Sequence, residues 1–252
     1  MARSLRLPHS RRDEPETTVH APGHEHRDIT GGWARAAVFG MSDGLTTNVA
    51  LILGVSGATT TGTFVRLAGI AGLLGGAFSM AAGEWVSMRA QAELLERELA
   101  LERRALARTP ELERRELAAI YRHRGIDRDT ADSMARQVMS DPDTALEVHA
   151  REEMGVDPSS LGSPTAAAVA SFITFGVGAL VPLLPFFWSH GTSAILTAIA
   201  LAAVAAVFVG AALAKFTGRS AVFSAARQLV ICAAAAGVTY AVGHLVGISG
   251  VS

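Results

Sequence analysis

Residues 67–88 read LAGIAGLLGGAFSMAAGEWVSM, and residues 89–107 continue as RAQAELLERELALERRALA. The first segment is apolar and rich in glycine, and about 20 such residues suffice to cross the hydrocarbon core of a bilayer. The second segment is charged, and its leucines recur near the helical period, which is typical of an amphipathic helix in water. The junction therefore predicts a membrane span that passes directly into a water-exposed helical region.

Three side chains at this junction share one helix face, because Met80, Glu84 and Met88 are spaced four residues apart. One interpretation is a line of metal ligands, with Met80 one helical turn deeper than Glu84. The other is that Glu84 marks the place where the helix meets water, with Arg89 close behind it. Met88 is the last residue before the charged segment, beyond Glu84, and we do not expect it to bind metal.

The acidic residues are confined to one part of the chain. All 23 lie at or before Asp157, and residues 158–252 contain only three basic residues, Lys215, Arg219 and Arg227. Long acid-free apolar stretches are typical of membrane spans. The formal net charge of −1 argues against a nucleic-acid-binding protein driven by bulk charge. The lone Cys232 excludes an internal disulfide.

The alternation of apolar and charged stretches predicts an all-α integral membrane protein with five transmembrane helices. A helical insert between the second and third spans is broken at Thr109-Pro110, Gly125 and Asp141-Pro142. Four parts follow: a disordered cytosolic tail (1–31), transmembrane helices 1 and 2 (32–90), a cytosolic helical metal-binding domain (91–162) and transmembrane helices 3–5 (163–252).

The distribution of basic residues predicts the orientation of the spans, because cytosolic loops carry an excess of lysine and arginine. The N-terminal tail and the insert are rich in arginine, the linker at 215–220 holds Lys215 and Arg219, and the intervening loops and C-terminal tail hold almost none. The N-terminus and the insert are therefore expected in the cytosol, and the C-terminus outside.

Two acids, Asp43 and Glu84, fall within the predicted spans. Burying a carboxylate at membrane depth costs at least about 2.5 kcal/mol, so each needs a partner or a function. Asp43 could instead cap a first span that is interrupted at the turn-prone pair Asp43-Gly44. Carboxylate oxygens with the Met80 thioether, and the amide oxygen of Asn48, would suit a first-row divalent ion.

The insert carries carboxylates that would form a hard-cation site if its helices converged. Glu113 and Glu116 are neighbours on one helix face. The other candidates are Glu98 and Glu102 on the first insert helix, and Glu147, Glu152 and Glu153 near its end, with His149 beside them. A solvated surface is the alternative, because arginines are interleaved. The insert has no Glu-x-x-His pair, which disfavours di-iron chemistry.

Three motifs resemble the vacuolar iron transporter family, and in style its bacterial members. They are SDGLTTNVALILGVSGA at 42–58, FSMAAGEWVSMRAQ at 78–91 and SPTAAAVASFITFGVGALVPLLPF at 163–186. The resemblance covers about residues 31–250, and the order of five spans with an insert after the second also fits. It departs at Ala105, where plant-type members carry a further acid, and at His149-Ala150, where they carry methionines.

The resemblance implies a homodimer with an ion pathway between subunits, and export of Fe(II) or Mn(II) from the cytosol by proton antiport. The family's pathway residues fall on Asp43, Met80 and Glu84. Its insert ligands look like Glu102, Glu113 and Glu116, with Glu152 or Glu153 near the end. The bacterial style places the protein in a plasma membrane.

Our first hypothesis is therefore a proton-coupled Fe(II) or Mn(II) exporter that serves metal homeostasis and detoxification. It is not an enzyme and has no prosthetic group, and its partners are metal ions, protons, lipid and a second copy, with no nucleic acid. The alternative is a membrane-anchored metal sensor or buffer that binds metal at the insert and transports none.

Overall fold

The computed structural model describes residues 32–59, 61–157 and 162–249, so the predicted tail at 1–31 lies outside the described residues. The helices are α1 (Gly32–Ala58), α2 (Gly62–Arg108), α3 (Pro110–His123), α4 (Arg128–Val138), α5 (Pro142–Glu153), α6 (Pro164–Leu183), α7 (Gly191–Thr217) and α8 (Ala221–Ser249), with a short 3-10 helix at Leu184–Phe187 after α6.

The fold class predicted from the sequence is confirmed. The described residues form helices and no strand, and α1, α2, α6, α7 and α8 are long and apolar enough to cross a membrane. Helix α6 counts as a span together with its 3-10 extension. Helices α3 to α5 lie in the chain between the second and third of these spans.

Helix α1 is continuous, so the predicted interruption at Asp43-Gly44 is wrong. Gly44 is used for packing instead of a turn. A Cβ at this position would lie 2.1 Å from the carbonyl oxygen of Phe175 on α6, and one at Gly178 would lie 2.3 Å from the carbonyl oxygen of Met41. The missing side chains let the backbones of α1 and α6 touch, as small residues do between membrane helices.

Helix α2 is also continuous, and its 47 residues run through the junction of apolar and charged sequence without a break. It ends at Thr109, where Pro110 occupies the first turn of α3, a position at which proline loses no helical hydrogen bond. The apolar half of α2 and the first helix of the insert are thus one rod.

The insert is built by capped short helices on the end of α2. Asp127 and Asp141 accept hydrogen bonds at 3.0 Å from the backbone N–H groups of Thr130 and Thr144, and so begin α4 and α5. Hydrogen bonds from the side chains of the same two threonines, together with these backbone bonds, hold the pKa of both carboxyls below their usual range. A core between α3 and α4 consists of Leu117, Ala118, Tyr121, Ala131 and Ala135.

Polar contacts tie α8 to α1 within the membrane bundle. Ser42 Oγ donates to Gln228 Oε1 at 3.1 Å, and Thr239 Oγ1 donates to the carbonyl oxygen of Ala50 at 2.6 Å. The buried thiol of Cys232 lies 3.3 Å from Thr46 Oγ1. These contacts set which face of α1 packs against α8. Asp43 does not lie on that face and is exposed.

Candidate metal centre

Four side chains from three helices converge in the insert. Glu102 of α2, Glu113 of α3, and His149 and Glu153 of α5 each place one potential ligand atom within 4.8 Å of the others. His149 and Glu153 are one turn apart and therefore share a face of α5. The arrangement depends on α2 reaching this far from the membrane, because Glu102 lies on its last turns.

His149 lies at the centre of this cluster. Its imidazole is fully buried, with Nδ1 2.9 Å from Glu153 Oε1 and 3.2 Å from Glu102 Oε1. His149 Nε2 and Glu102 Oε1 are buried and lack a hydrogen-bond partner among the described residues. Buried polar atoms are rarely left unpaired, and Glu102 Oε1 lies on the Nδ1 side of the ring, so this oxygen fits a bound ion within the group. Three carboxylates and an imidazole suit Fe(II), Mn(II) and neighbouring divalent ions.

Burial and mutual repulsion of the carboxylates cost free energy when no cation is bound to the cluster. Burial is the largest cause that raises the pKa of Glu102, and the nearby Glu153 carboxylate raises it further. Burial also raises the pKa of Glu153 above its usual range, with Glu116 and Glu113 adding to it and His149 opposing it. A divalent cation would relieve this repulsion, and protons compete with it for the same oxygens.

The other two predicted insert ligands lie at the edge of this cluster. Glu116 is exposed, and its charge is close enough to raise the pKa of Glu102 and Glu153. Glu152 points to the other side of α5, where it pairs with Arg124. The structure thus brings Glu102, Glu113 and Glu153 together, and it leaves Glu116 and Glu152 outside the group of four.

The outer surface of the insert is charged in the way the solvated-surface interpretation expects. Glu111 of α3 accepts hydrogen bonds from Arg114 and Arg115, which lower its pKa to about 2. That interpretation therefore suits the exposed face of α3. It does not suit Glu113, which is 7% exposed and faces inward.

The predicted pathway residues lie at separate places on α1 and α2. Asp43 is exposed and accepts a hydrogen bond from Thr47 Oγ1 at 3.3 Å. Glu84 accepts a hydrogen bond from Arg35 at 2.9 Å. Met80 is partly buried and packs against the cluster formed by Ala77, Phe175 and Ala179.

Asn48 uses its amide nitrogen for a contact between helices, and Met88 is a packing residue. Asn48 is fully buried and donates to the carbonyl oxygen of Ala179 at 2.5 Å, so it turns away from the exposed Asp43 rather than joining it. The Met88 methyl group contacts the start of α1, where a Cβ on Gly32 would lie 2.9 Å from it. Met88 thus fills the junction between α1 and α2.

From the sequence, His149 was expected beside the insert carboxylates and was not assigned as a ligand. Comparison with a methionine pattern made this position look like a poor match. The signal that could have found it is the spacing of His149 and Glu153, four residues apart on a helix that also begins with a clear cap. The search for Glu-x-x-His pairs tested another spacing.

Comparisons with known proteins agree with the motifs. The model of the VIT family matches residues 34–244. The chain is 38% identical to a vacuolar iron transporter of Acanthamoeba castellanii over 201 residues, which cover 75% of this chain and 73% of the relative. It is 30% identical to vacuolar iron transporter 1 of Oryza sativa subsp. japonica over 219 residues, covering 86% and 87% of the two chains. Vacuolar iron transporter 2 of the same rice is 30% identical over 230 residues, covering 90% and 94%.

Proposed function

This chain belongs to the VIT family, and we propose that it exports Fe(II) or Mn(II) from the cytosol in exchange for protons. Family membership confirms the expectation of a multi-pass membrane protein that transports metal and is not an enzyme. The choice of metal, the direction and the proton coupling belong to the proposal.

The observation that carries the proposal is the cluster of Glu102, Glu113, His149 and Glu153, in which Glu102 lies on a helix that continues into the membrane. Its oxygen and nitrogen donors match the preferences of Fe(II) and Mn(II), whereas a site selective for Cu(I) would need thiolate or thioether ligands. We therefore assign the ion-collecting role to the insert, with the metal as transported cargo.

The proposed direction of metal transport follows from the distribution of lysine and arginine along the chain. The insert and the linker between α7 and α8 hold most of the basic residues near span ends, and such segments stay in the cytosol. An ion collected there would leave the cytosol by passing Glu84, Met80 and Asp43. The same carboxylates can carry protons in the opposite direction, since protonation and metal binding exclude one another. We place the protein in a plasma membrane, on the bacterial style of its motifs.

A second copy of the chain is part of the proposal. Asp43 lies about 16 Å along α1 from Gly32, near the middle of the span, and it is exposed in a single protomer. Left facing lipid, its carboxylate would cost at least about 2.5 kcal/mol. On the neighbouring helix, a stripe of exposed small residues offers a close-packing surface: Ala71, Gly75, Ser79 and Gly83. A homodimer that pairs these faces would line an ion pathway between subunits.

The proposal is tested in proteoliposomes that contain a metal-sensitive dye and carry a pH gradient. Wild-type protein should move Fe(II) or Mn(II) and move protons in the opposite direction. Glu102→Gln should raise the KM for metal, and Asp43→Asn and Glu84→Gln should lower the flux. Glu111→Gln, a surface change on α3, is the matched control and should behave as wild type.

Two outcomes would contradict the proposal. Metal binding without flux in wild-type protein would favour the membrane-anchored sensor or buffer, which needs the insert cluster and no pathway. Equal flux in wild type, Asp43→Asn and Glu84→Gln would show that ions do not pass these carboxylates.

A further inference from the structure

We propose that Arg35 is a gate residue at the cytosolic mouth, the entrance of the ion pathway at Glu84. The guanidinium of Arg35 stays paired with the Glu84 carboxylate until an arriving metal ion displaces it. The proposal rests on the function proposed above, because it takes Glu84 as the first membrane residue that the ion meets. It assigns a role to a basic residue at the start of α1.

The geometry of the pair supports a gate. Arg35 Nη2 lies 2.9 Å from Glu84 Oε1, and the two residues are 49 positions apart on different helices. The side chain of Glu84 is 17% exposed, whereas that of Arg35 is 59% exposed. The carboxylate is thus largely withdrawn from water while its cationic partner can swing out into it.

Arg35 also lies on the face of α1 that leads to the deeper acid. Arg35, Phe39, Asp43 and Thr47 follow one another at four-residue intervals, and all four are exposed in the protomer. They therefore form one stripe along α1. An ion that moves from Glu84 towards Asp43 along this stripe must pass the Arg35 guanidinium first.

The positive charge of Arg35 beside Glu84 weakens the binding of a divalent cation there. The guanidinium neutralises the carboxylate that would bind the ion, and it repels a divalent cation across the same few ångströms. Because arginine stays protonated at any physiological pH, only a change in its position can remove this obstacle.

Another ion pair on α2 provides an internal contrast. Arg89 Nε lies 2.9 Å from Glu93 Oε1, the same distance as in the mouth pair. Both of its side chains are about half exposed, and both belong to one helix. Such a surface pair contributes little and blocks no route, so Arg89→Gln is the matched control.

The experiment measures KM and kcat for Fe(II) or Mn(II) flux in proteoliposomes. Arg35→Gln should lower KM by about tenfold, because removing a unit charge beside a partly buried carboxylate strengthens cation binding, and kcat should fall as the ion leaves Glu84 more slowly. Arg35→Lys keeps the charge and should keep the wild-type KM. In a Glu84→Gln background, Arg35→Gln should no longer change KM.

The gate is wrong if Arg35→Gln leaves KM unchanged or raises it, or if its effect persists in the Glu84→Gln background. Arg35→Met preserves more of the apolar stem and serves as a second neutral variant. If neither neutral variant gives folded protein while Arg35→Lys does, the pair is a structural tie and the gate is also wrong. Absence of flux in wild-type protein would instead overturn the proposed function.

Discussion

His149 shows how one buried side chain sets the character of the candidate centre. Its ring nitrogen lies within about 3 Å of two carboxylates, and no other imidazole belongs to the group among the described residues. A nitrogen donor strengthens binding of the later first-row metals more than of Mn(II). The residue therefore affects both the affinity and the selectivity of the site.

Replacement of His149 by alanine should weaken metal binding to the purified protein by at least about tenfold, since changes even to outer partners of metal ligands reach that size. The loss should be larger for Co(II) than for Mn(II). Isothermal titration calorimetry in detergent measures both. His123→Ala, an exposed change on the last turn of α3, is the control. Equal dissociation constants for wild type and His149→Ala would exclude His149 as a ligand.

For individual residues, the sequence predicted that carboxylates of the insert would bind metal, but it did not predict which of them lie together. Glu102, Glu113 and Glu153 were candidates because the family resemblance placed insert ligands on these positions, and the structure brings them together. The separation of Glu153 from Glu152 could not be predicted, because it depends on how α5 is rotated against α2 and α3. In the observed rotation, Glu152 pairs with Arg124 outside the cluster.

Among the elements, α2 connects the two functional regions. The apolar and charged segments were assigned to different parts of the chain, divided at residues 90 and 91, because their compositions differ sharply. The structure continues one helix through both, since residues 86–94 contain no proline, glycine or cap. Intrahelical backbone hydrogen bonds form both in lipid and in water, so the change in composition alone does not end a helix here.

A proline at position 91 tests whether this continuity matters. Gln91 is exposed, and Gln91→Pro should break α2 at a cost of about 3 kcal/mol. Metal binding at the insert should stay within about twofold of wild type, whereas flux should fall by tenfold or more because the insert loses its fixed position. Calorimetry and the proteoliposome assay measure the two effects.

Gln91→Ala keeps the helix and is the control for this substitution. If Gln91→Pro transports as well as Gln91→Ala while α2 is broken, the insert acts independently of its placement. Loss of metal binding as well as flux would mean that the insert cannot fold without an intact α2.

For α1, the sequence suggested a break that does not exist. Asp43-Gly44 is turn-prone in water, but Gly44 is needed where the carbonyl oxygen of Phe175 approaches the helix. Within a bilayer, unpaired backbone groups are far more costly than glycine in a helix, so the helix stays intact. Local propensity is overridden by packing at this position.

In the whole molecule, the exposed faces of α1 and α2 are the surfaces that a second protomer would cover. The five-span order, including the position of the insert, was predictable from hydropathy and charge alone. The pairing of protomers was not, because a stripe of small residues has the same composition whether it faces lipid or another helix. The feature that favours a second protomer is the exposed carboxylate of Asp43 on α1.

Cysteine cross-linking tests the homodimer directly. In a Cys232→Ala background, which removes the lone native thiol, Ser79→Cys should form a disulfide-linked dimer on mild oxidation, because small-residue faces bring backbones close enough for this bond. Phe208→Cys, on an α7 position that is 72% exposed, should stay monomeric. Denaturing electrophoresis without reductant separates the two results.

Cross-linking of both variants to the same extent would indicate random collision, and cross-linking of Phe208→Cys alone would place the interface on α7. Either result would contradict a pathway lined by α1 and α2 of two copies.

The uninterrupted α2 also fixes how far an ion must diffuse. Glu84 and Glu102 are 18 positions apart on one helix, which corresponds to about 27 Å. No side chain spans that gap, so an ion must leave the cluster and cross water to the proposed mouth. One ion confined to a half-sphere of that radius has an effective concentration of about 40 mM. The mouth therefore needs only millimolar affinity to fill, and weak affinity there favours rapid passage onward.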